Sequence, residues 1–453
     1  MERPLLSIDS FKLVARGLAE ALVAGPWRLD DLVDRGGRAV GRRGRWLRPL
    51  VRRLLEAIGE GPRPSALRVA AWLVGDAGFR HVFDTNEVAL SGQNWRPAVM
   101  DPSPGAPAGW TVPEITTAVA LAGRFGLTFR ELAWFGHPGA RRRMPDGPLC
   151  HYRYRWVAKR SGSARLIEAP KPRLREIQRR LLDEVLAPIP LHDAAHGYCP
   201  GRSARTFAGP HVGRDVVLRM DLRDFFPSIT AGRVRALFRT AGYPDEVANL
   251  LTGLCTNVAP SSLWRGGAAP ADGAESWRSR RLYGQAHLPQ GAPSSPALAN
   301  LGAFRLDGRL DGLARSADAS YTRYADDLLF SGGSDFARGV GRFSAHVGAI
   351  AIEEGYEVAH HKTRIMRRGV RQRAAGLVLN ERINVGRDAY DSLRATLFNC
   401  TRGDPRQQDR VGRPDFRAHL AGRVAYVASI HPERGRRLKA LFDRIDWTSE
   451  ASP

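Results

Sequence analysis

Apolar residues recur at helical spacing along the first hundred positions of the chain. One amphipathic face carries Phe11, Leu18 and Leu22, and a second runs from Leu47 to Leu55. Recurrence at intervals of three and four residues is typical of helices that bury one face. The pattern predicts a helical N-terminal region over residues 1–98.

Residues 99–113 interrupt this pattern with closely spaced Pro and Gly, which is typical of a linker. Helical spacing returns in a lead-in over residues 114–150, where two short helices are predicted, the second over 128–135. Thr128 suits the N-cap of that helix, because Glu131 follows three residues later and can complete a capping box.

From residue 151 the pattern becomes a mixture of strands and helices. Alternation over 152–159 and 164–170, around a Ser-Gly-Ser turn, predicts a β-hairpin. Residues 216–221 form an apolar run typical of a buried strand, and this strand ends in Asp221. A second hairpin is predicted over 321–330, with Asp326 and Asp327 at its tip.

Helical spacing also occurs between and after these strands. A helix is predicted over residues 174–186, and an amphipathic helix is predicted to continue from Ala297 through Leu310. The helix that follows the second hairpin is predicted to end near Lys362. Strands and helices in this mixture predict an α+β fold.

Three carboxylates stand out in this arrangement: Asp221 at a strand end, and Asp326 and Asp327 at a hairpin tip. Carboxylate oxygens are the ligands that Mg²⁺ prefers. If the fold brings the three together, they can hold two Mg²⁺ ions about 3.5–4 Å apart, the arrangement that drives in-line nucleotidyl transfer.

Composition favours a nucleic-acid partner. The formal net charge is +23 in 453 residues, a self-repulsion that a polyanion would neutralise. Eight Arg and no acid occur between positions 35 and 53. This run is suited to track phosphates, and an ordinary solvated helix face is the alternative.

Several other side chains have types suited to nucleotide chemistry. Lys159 and Arg165 lie on the two arms of the first hairpin and can contact a triphosphate, although exposed cations that only promote solubility are the alternative. Lys362, one of five lysines, can protonate or shield a leaving pyrophosphate. Gln290 offers a planar amide, and Gly291 lets the backbone approach a base pair, but a lone Pro-Gln-Gly is only a turn.

The segment after Asp221 carries two aromatic residues. Phe226 lies five residues beyond this acid, where a bulky ring would clash with a 2′-hydroxyl and so select deoxynucleotides. The alternative is that Phe225 and Phe226 are core aromatics, which must hold for at least one of them. Asp224 is interpreted as a turn or cap residue rather than a metal ligand.

Taken in order, these motifs resemble the bacterial reverse transcriptases, and most of all the retron reverse transcriptases. The resemblance extends from about residue 152 to the C-terminus. It is carried by Lys159 to Pro170 with Gln178-Arg179, His196-Gly197-Tyr198, Asp221 to Ile229, Pro289-Gln290-Gly291, Tyr324-Ala325-Asp326-Asp327, Lys362-Thr363-Arg364 and Gly376 to Asn380.

The resemblance implies a right-hand polymerase, with fingers and palm over residues 151–379 and an RNA-binding thumb over 380–453. It implies that Asp221, Asp326 and Asp327 are catalytic and bind two Mg²⁺ ions. The nucleotide-binding residues would be Lys159, Arg165, Asp224, Phe225, Phe226, Gln290 and Lys362. The primer grip would contain Gly376, Leu377 and Asn380.

The implied activity is RNA-directed DNA synthesis from dNTPs. For a retron-like enzyme the template and primer would be a dedicated structured non-coding RNA, the product a joined RNA and DNA, and the biological role phage defence with an effector protein. Another bacterial reverse transcriptase, intron-derived or defence-associated, and a non-catalytic RNA-binding scaffold of polymerase fold are the alternatives.

Two retron signatures are altered. The Asn-Ala-x-x-His signature has Phe207 in place of Asn and keeps Ala208 and His211, and the Val-Thr-Gly signature keeps only Gly376. These changes leave the polymerase motifs intact, but they weaken the assignment of retron-type RNA recognition.

The four cysteines show no C-x-x-C spacing, which disfavours a zinc site or a disulfide framework. No uncharged apolar run reaches the roughly 18 residues of a membrane span, and the N-terminus lacks a secretory signal pattern. We therefore expect a cytoplasmic protein with no membrane partner.

Overall fold

The protein was analysed as a computed structural model. It describes residues 8–40, 44–59, 64–85, 99–102, 110–136, 150–158, 164–265 and 274–447. The chain divides into two compact units. The first contains Met1–Pro190 and Phe226–Gly302, and the second contains Leu191–Phe225 and Ala303–Pro453.

The described residues contain a run of helices as well as antiparallel sheets with helices around them, which confirms the predicted α+β fold. The helices are α1 Ile8–Val23, α2 Leu29–Ala39, α3 Leu47–Ile58, α4 Ala66–Gly75, α5 Ala77–Asp84, α6 Ala118–Arg124, α7 Phe129–Gly136, α8 Pro172–Leu181, α9 Ala204–Ala208, α10 Phe225–Ser228, α11 Ala231–Thr240, α12 Asp245–Cys255, α13 Ala274–Tyr283, α14 Ser295–Gly302, α15 Phe304–Ser316, α16 Ser334–Glu353, α17 Arg387–Cys400, α18 Phe416–Ile430 and α19 Pro432–Phe442. The strands are β1 Tyr152–Ala158, β2 Ala164–Pro170, β3 Val216–Asp221, β4 Ala319–Tyr324, β5 Asp327–Gly332, β6 Arg364–Arg367, β7 Arg373–Ala374, β8 Leu377–Val378 and β9 Asn384–Val385.

The helices α1 to α5, which lie in the region predicted to be helical, share one hydrophobic core. Phe11, Leu18 and Leu22 of α1 are buried in it together with Leu50 and Leu54 of α3. None of the helices that the structure describes is both long enough and apolar enough to cross a membrane.

The arginine run at positions 35–53 is partly engaged within the protein. Arg35 donates to the carbonyl of Leu22 at 2.8 Å, and burial lowers its pKa to about 10. Arg53 forms an ion pair of 2.8 Å with Asp76. Arg42 and Arg43 lie outside the described residues. Arg35 and Arg53 therefore have bonding partners within the N-terminal helices themselves.

The predicted short helices of the lead-in are present as α6 and α7. The hydroxyl of Thr128 accepts from the backbone N–H of Glu131 at 3.2 Å, and the Glu131 carboxylate accepts from the backbone N–H of Thr128 at 2.8 Å. This is the reciprocal capping box that the sequence predicts.

The predicted fingers hairpin is present in the first unit as the antiparallel pair β1 and β2, in which Val157 lies opposite Arg165. The helix predicted over residues 174–186 is α8 only to Leu181 and continues as a π turn over Leu182–Leu186. The buried residues Leu181, Val185 and Leu186 are spaced as in an ordinary helix, so the sequence pattern does not reveal the change.

A four-stranded antiparallel sheet with strand order β4-β5-β3-β6 lies at the centre of the second unit. Its middle strands β3 and β5 are almost fully buried, which explains their continuous apolar character. A small sheet of β7, β8 and β9 follows, and its Leu377 shares a core with the helices α17, α18 and α19.

Two helix predictions in the region of residues 297–362 are wrong in their boundaries. The amphipathic helix predicted from Ala297 through Leu310 is interrupted at Ala303 and forms the separate helices α14 and α15. The preceding Gly302 has low helix propensity and permits the break. The helix after the second hairpin, α16, ends at Glu353, and Lys362 lies in a short 3₁₀ turn before β6.

Candidate active site

Two of the acids predicted to act together lie on paired strands of the second unit, and the third lies in the adjoining turn. Strands β3 and β5 pair in a register that places Asp221 directly opposite Asp327. Asp326 lies in the turn between β4 and β5, and its carbonyl accepts from the backbone N–H of Leu222 at 2.8 Å. Ala325 holds this turn in the left-handed region, with φ of 55°. The fold therefore places the backbones of three acids next to one another, although these acids are up to 106 positions apart in the sequence.

Cations contact two of these acids. The Nζ atom of Lys362 donates to Oδ1 of Asp221 at 2.7 Å. The guanidinium of Arg219 donates to both carboxylate oxygens of Asp327, at 2.8 and 3.1 Å. Arg219 and Asp221 are two residues apart on one strand and so lie on the same face of the sheet.

Asp327 is held in a partly desolvated position. Burial raises its pKa above the usual value for an aspartate, and the neighbouring Arg219 lowers it without cancelling this effect. Its side chain is 18% exposed, against 38% for Arg219. A bidentate pair with Arg fixes the orientation of a carboxylate, so Asp327 is more constrained than a solvent-exposed acid.

The donor set suits a hard divalent cation, because each of the three acids offers carboxylate oxygens. The side chains of Asp221 and Asp327 are directed at Lys362 and Arg219. Among the described residues, no group of three or more His, Cys, Asp or Glu side chains is drawn together as a metal cage. Bound Mg²⁺ would compete with these two cations for the same oxygens.

The chain around Gly197 supports the hairpin tip. The backbone N–H of His196 donates to the carbonyl of Arg323 at 2.7 Å. A Cβ at Gly197 would lie 2.6 Å from the backbone nitrogen of Ala325, so only glycine permits this approach. The His-Gly-Tyr motif therefore has a direct packing role next to Asp326.

The residues after Asp221 take varied positions. Asp224 adopts a left-handed conformation with φ of 50°, in agreement with a turn residue. Phe225 and Phe226 are 4% and 9% exposed, so both rings are largely in the interior. The ring of Phe225 lies 5.7 Å from that of Tyr356. The core interpretation therefore applies to Phe225, and the discriminating role of Phe226 stays a prediction.

The other predicted nucleotide contacts belong to the first unit. Arg165 is exposed on β2, and Lys159 lies outside the described residues. The carbonyl of Gln290 accepts from the backbone N–H of Glu168 at 2.9 Å, and Gly291 has φ of 130°. The Pro-Gln-Gly loop is thus attached to strand β2, and a side chain at position 291 would be strained.

The predicted primer grip lies on the small sheet of the second unit. Gly376 has φ of 79° between β7 and β8, and Leu377 is fully buried. The side chain of Asn380 accepts from the backbone N–H of Gln372 at 3.0 Å and donates to the carbonyl of Val370 at 2.9 Å. Asn380 therefore fixes the turn that leads into this sheet.

The residues of the altered retron signature are internal. Phe207 is fully buried in the core of the second unit. His211 is also fully buried, and its ring nitrogens lie 2.7 and 2.8 Å from the hydroxyls of Ser331 and Thr322. Burial lowers the pKa of His211 to about 3, so the ring is neutral. In this chain the signature attaches α9 to the central sheet.

Sequence reasoning missed several charged residues that the structure places near predicted site residues. Arg219 interrupts an otherwise apolar strand two positions before Asp221, and that spacing was the available signal. Arg323 lies next to the last residue of β4, before the hairpin tip, and its buried partner is distant in the sequence. Glu168 and His287 gave no local signal, because they are 119 positions apart.

The chain matches known proteins over its central part. Residues 157–391 match the family described as "Reverse transcriptase (RNA-dependent DNA polymerase)". Retron Mx65 reverse transcriptase of Myxococcus xanthus is 42% identical over 301 residues, which cover 65% of this chain and 65% of that protein. The match thus spans slightly less than two thirds of that relative.

Two further relatives are similar over comparable lengths. Retron Mx162 reverse transcriptase of Myxococcus xanthus is 36% identical over 357 residues, covering 75% of this chain and 69% of the relative. Retron Ec86 reverse transcriptase of Escherichia coli is 29% identical over 298 residues, which cover 65% of this chain and 81% of that relative.

Proposed function

The chain belongs to the reverse transcriptase family, in its retron-like bacterial group, and we propose that it extends a primer with deoxynucleotides on an RNA template. Membership confirms the prediction of a right-hand polymerase fold with a bacterial reverse transcriptase domain. One observation carries the proposal: Asp221 and Asp327 lie opposite each other in the matched segment, with Asp326 in the adjoining turn.

Asp221 and Asp326 are the proposed principal ligands of two Mg²⁺ ions, and Asp327 completes or tunes the site. When bound, such ions activate the primer hydroxyl and offset the charge of the leaving pyrophosphate. The contact of both Asp327 oxygens with Arg219 supports this division of roles. Lys362, 2.7 Å from Asp221, is suited to shield the pyrophosphate or to give it a proton.

The remaining contacts are proposed from the motifs. The sheet that carries Leu377 would grip the primer together with Gly376 and Asn380. Phe226 would exclude ribonucleotides. The triphosphate and the templating base pair would be contacted by Lys159, Arg165, Asp224, Gln290 and Lys362, whereas Phe225 is buried in the core.

The proposed template and primer are a dedicated structured non-coding RNA, and the product joins RNA to DNA. The names of the relatives, all retron reverse transcriptases, support this proposal, as does the net charge of +23. A role in phage defence with an effector protein, in the cytoplasm where RNA and dNTPs are present, follows from the same resemblance.

The activity is tested by extension of a DNA primer on an RNA template with dNTPs and Mg²⁺. Asp326→Asn should lower the rate at least about 10³-fold, because it removes a proposed metal ligand. Asp318→Asn is the matched control: it makes the same change at an exposed residue beside β4, where φ of 48° also suits Asn. Equal activity of the wild type and Asp326→Asn would contradict the proposed site.

The RNA partner is tested by sequencing the nucleic acid that co-purifies with the protein from its native host. A single dominant structured transcript, extended with DNA, is expected. A heterogeneous mixture of cellular RNA would contradict the dedicated template. In the same host, deletion of the coding sequence should raise the efficiency of phage plating, and unchanged plating across a phage panel would contradict the defence role.

A further inference from the structure

A buried ion pair lies directly behind the hairpin that carries Asp326. Arg323 of β4 and Asp307 of α15 both have fully buried side chains. The guanidinium donates to Oδ1 and Oδ2 of Asp307, at 2.7 Å each, and the hydroxyl of Tyr321 donates to Oδ1 at 2.8 Å. Buried ion pairs are weak contributors to stability compared with apolar residues of similar volume. Stability alone therefore does not account for this pair.

The same guanidinium reaches the hairpin tip. Nη1 of Arg323 donates to the carbonyl of Ala325 at 3.1 Å. That carbonyl belongs to the peptide group that joins Ala325 to Asp326, in a residue with φ of 55°. An L-residue other than Asn or Asp adopts this conformation only at some cost in energy. A hydrogen-bond donor held at the carbonyl of Ala325 therefore stabilises a strained turn.

Arg323 also contacts the segment that follows the first carboxylate. Its guanidinium carbon lies 5.6 Å from the centre of the Phe225 ring, in cation–π geometry. Strand β3 ends at Asp221, and Phe225 follows four residues later. One side chain thus touches both the turn before Asp326 and the turn after Asp221.

We propose that Arg323, oriented by Asp307, is a positioning residue for the reaction: it sets the peptide plane before Asp326 and the path of the chain after Asp221. This inference rests on the proposed catalytic role of Asp326. Arg323 is completely buried and does not meet substrate, so it acts on the rate of the chemical step rather than on binding. A misplacement of about 1 Å in a catalytic group can lower a rate about 10²-fold.

The test separates positioning from folding by replacing both partners at once with apolar residues. Arg323→Met combined with Asp307→Leu leaves no unpaired buried charge, so it should fold, and the loss of the acceptor of the Tyr321 hydroxyl should lower its urea midpoint only modestly. Its single-turnover rate of nucleotide addition should fall about 10²-fold, whereas KM for dNTP and the affinity for primer and template should change less than about twofold. A purely structural role would not produce this split between rate and KM.

A second variant keeps the test decisive if the double variant does not fold. Arg323→Lys retains a positive charge for Asp307 but lacks the fork needed to reach Ala325 as well, so it should fold and lose about 10-fold in rate. Arg315→Gln is the matched control, because Arg315 is an exposed residue of α15, the helix that carries Asp307. Its rate of nucleotide addition should equal that of the wild type.

The outcomes are distinguishable from failure of the proposed site. If Asp326→Asn is inactive while a folded Arg323 variant keeps a rate within about threefold of the wild type, the positioning role is overturned. A rate loss accompanied by an equal rise in KM would also overturn it, because that result indicates impaired binding. If Asp326→Asn is as active as the wild type, the proposed site itself fails.

Discussion

Both compact units bury an ion pair, and the two pairs differ in whether the cation can lose its proton when the pH rises. The second unit has Arg323 with Asp307, and the first has His287 with Glu168, whose atoms Nε2 and Oε2 are 2.8 Å apart. All four side chains are fully buried. Arginine keeps its proton at every pH at which proteins fold, whereas histidine titrates near neutrality.

Each pair also holds a loop that carries predicted site residues. Arg323 donates to the carbonyl of Ala325, next to Asp326. The backbone N–H of Glu168 donates to the carbonyl of Gln290 at 2.9 Å. The comparison indicates that the hairpin carrying Asp326 is held by a charge that does not titrate, whereas the Pro-Gln-Gly loop is attached beside a pair whose charge is lost at high pH.

The largest effect is expected from Asp307→Asn. It leaves the guanidinium of Arg323 buried without a counter-charge, and arginine cannot neutralise itself, so the free energy of unfolding should fall by about 3–5 kcal/mol. Urea unfolding at pH 7.5 measures this. Asp311→Asn is the matched control on the same helix: its partner Arg315 is 74% exposed, and the expected cost is about 0–1 kcal/mol. Similar costs for the two variants would contradict the comparison.

Glu168→Gln should cost less, about 1–3 kcal/mol by the same measurement. His287 can lose its proton when the carboxylate is removed, and Gln can still bond to Asn257, which now donates to Oε1 of Glu168 at 2.8 Å. A cost equal to that of Asp307→Asn would show that the two pairs do not differ in the way proposed.

The sequence predicted β3, β4 and β5 of the central sheet, because β3 and β5 are largely apolar runs that end or begin at conspicuous acids, but it did not predict β6. It also predicted the capping box at Thr128, which depends on residues three positions apart. Such features depend on residues that are close together in the chain, so the sequence alone predicts them.

The partners of the buried charges could not be predicted in the same way. Arg323 and Asp307 are brought together by the packing of α15 on β4, and Glu168 and His287 by the pairing of distant segments. Charge spacing along the chain does not reveal such contacts. The break at Ala303 was missed for a related reason: the apolar spacing continues across it while the helix does not.

Buried His211 of the second unit provides a pH control of opposite sign. Burial lowers the pKa of His211 to about 3, below the value of about 6.5 in the unfolded chain. Its contribution to stability is therefore present above pH 6.5 and is lost as the pH falls towards 3. At pH 5 the wild type should lose about 1–2 kcal/mol relative to pH 7 through this group. His211→Gln should show a smaller change over this range, and an unchanged pH dependence would contradict the assignment.

The smallest effect is expected from His287 on the alkaline side. Burial lowers its pKa, but the charge and hydrogen bond of Glu168 outweigh this and raise the pKa above the usual value. Stability from this pair is thus complete below the unfolded pKa of about 6.5 and is lost as the pH rises through the raised value. Hydrogen exchange, corrected for the intrinsic pH effect, should show weaker protection of residues 283–291 at pH 9 than at pH 7. Residues 319–327, held by Arg323, should show no such change, and parallel loss in both segments would remove the distinction between a removable and a permanent charge.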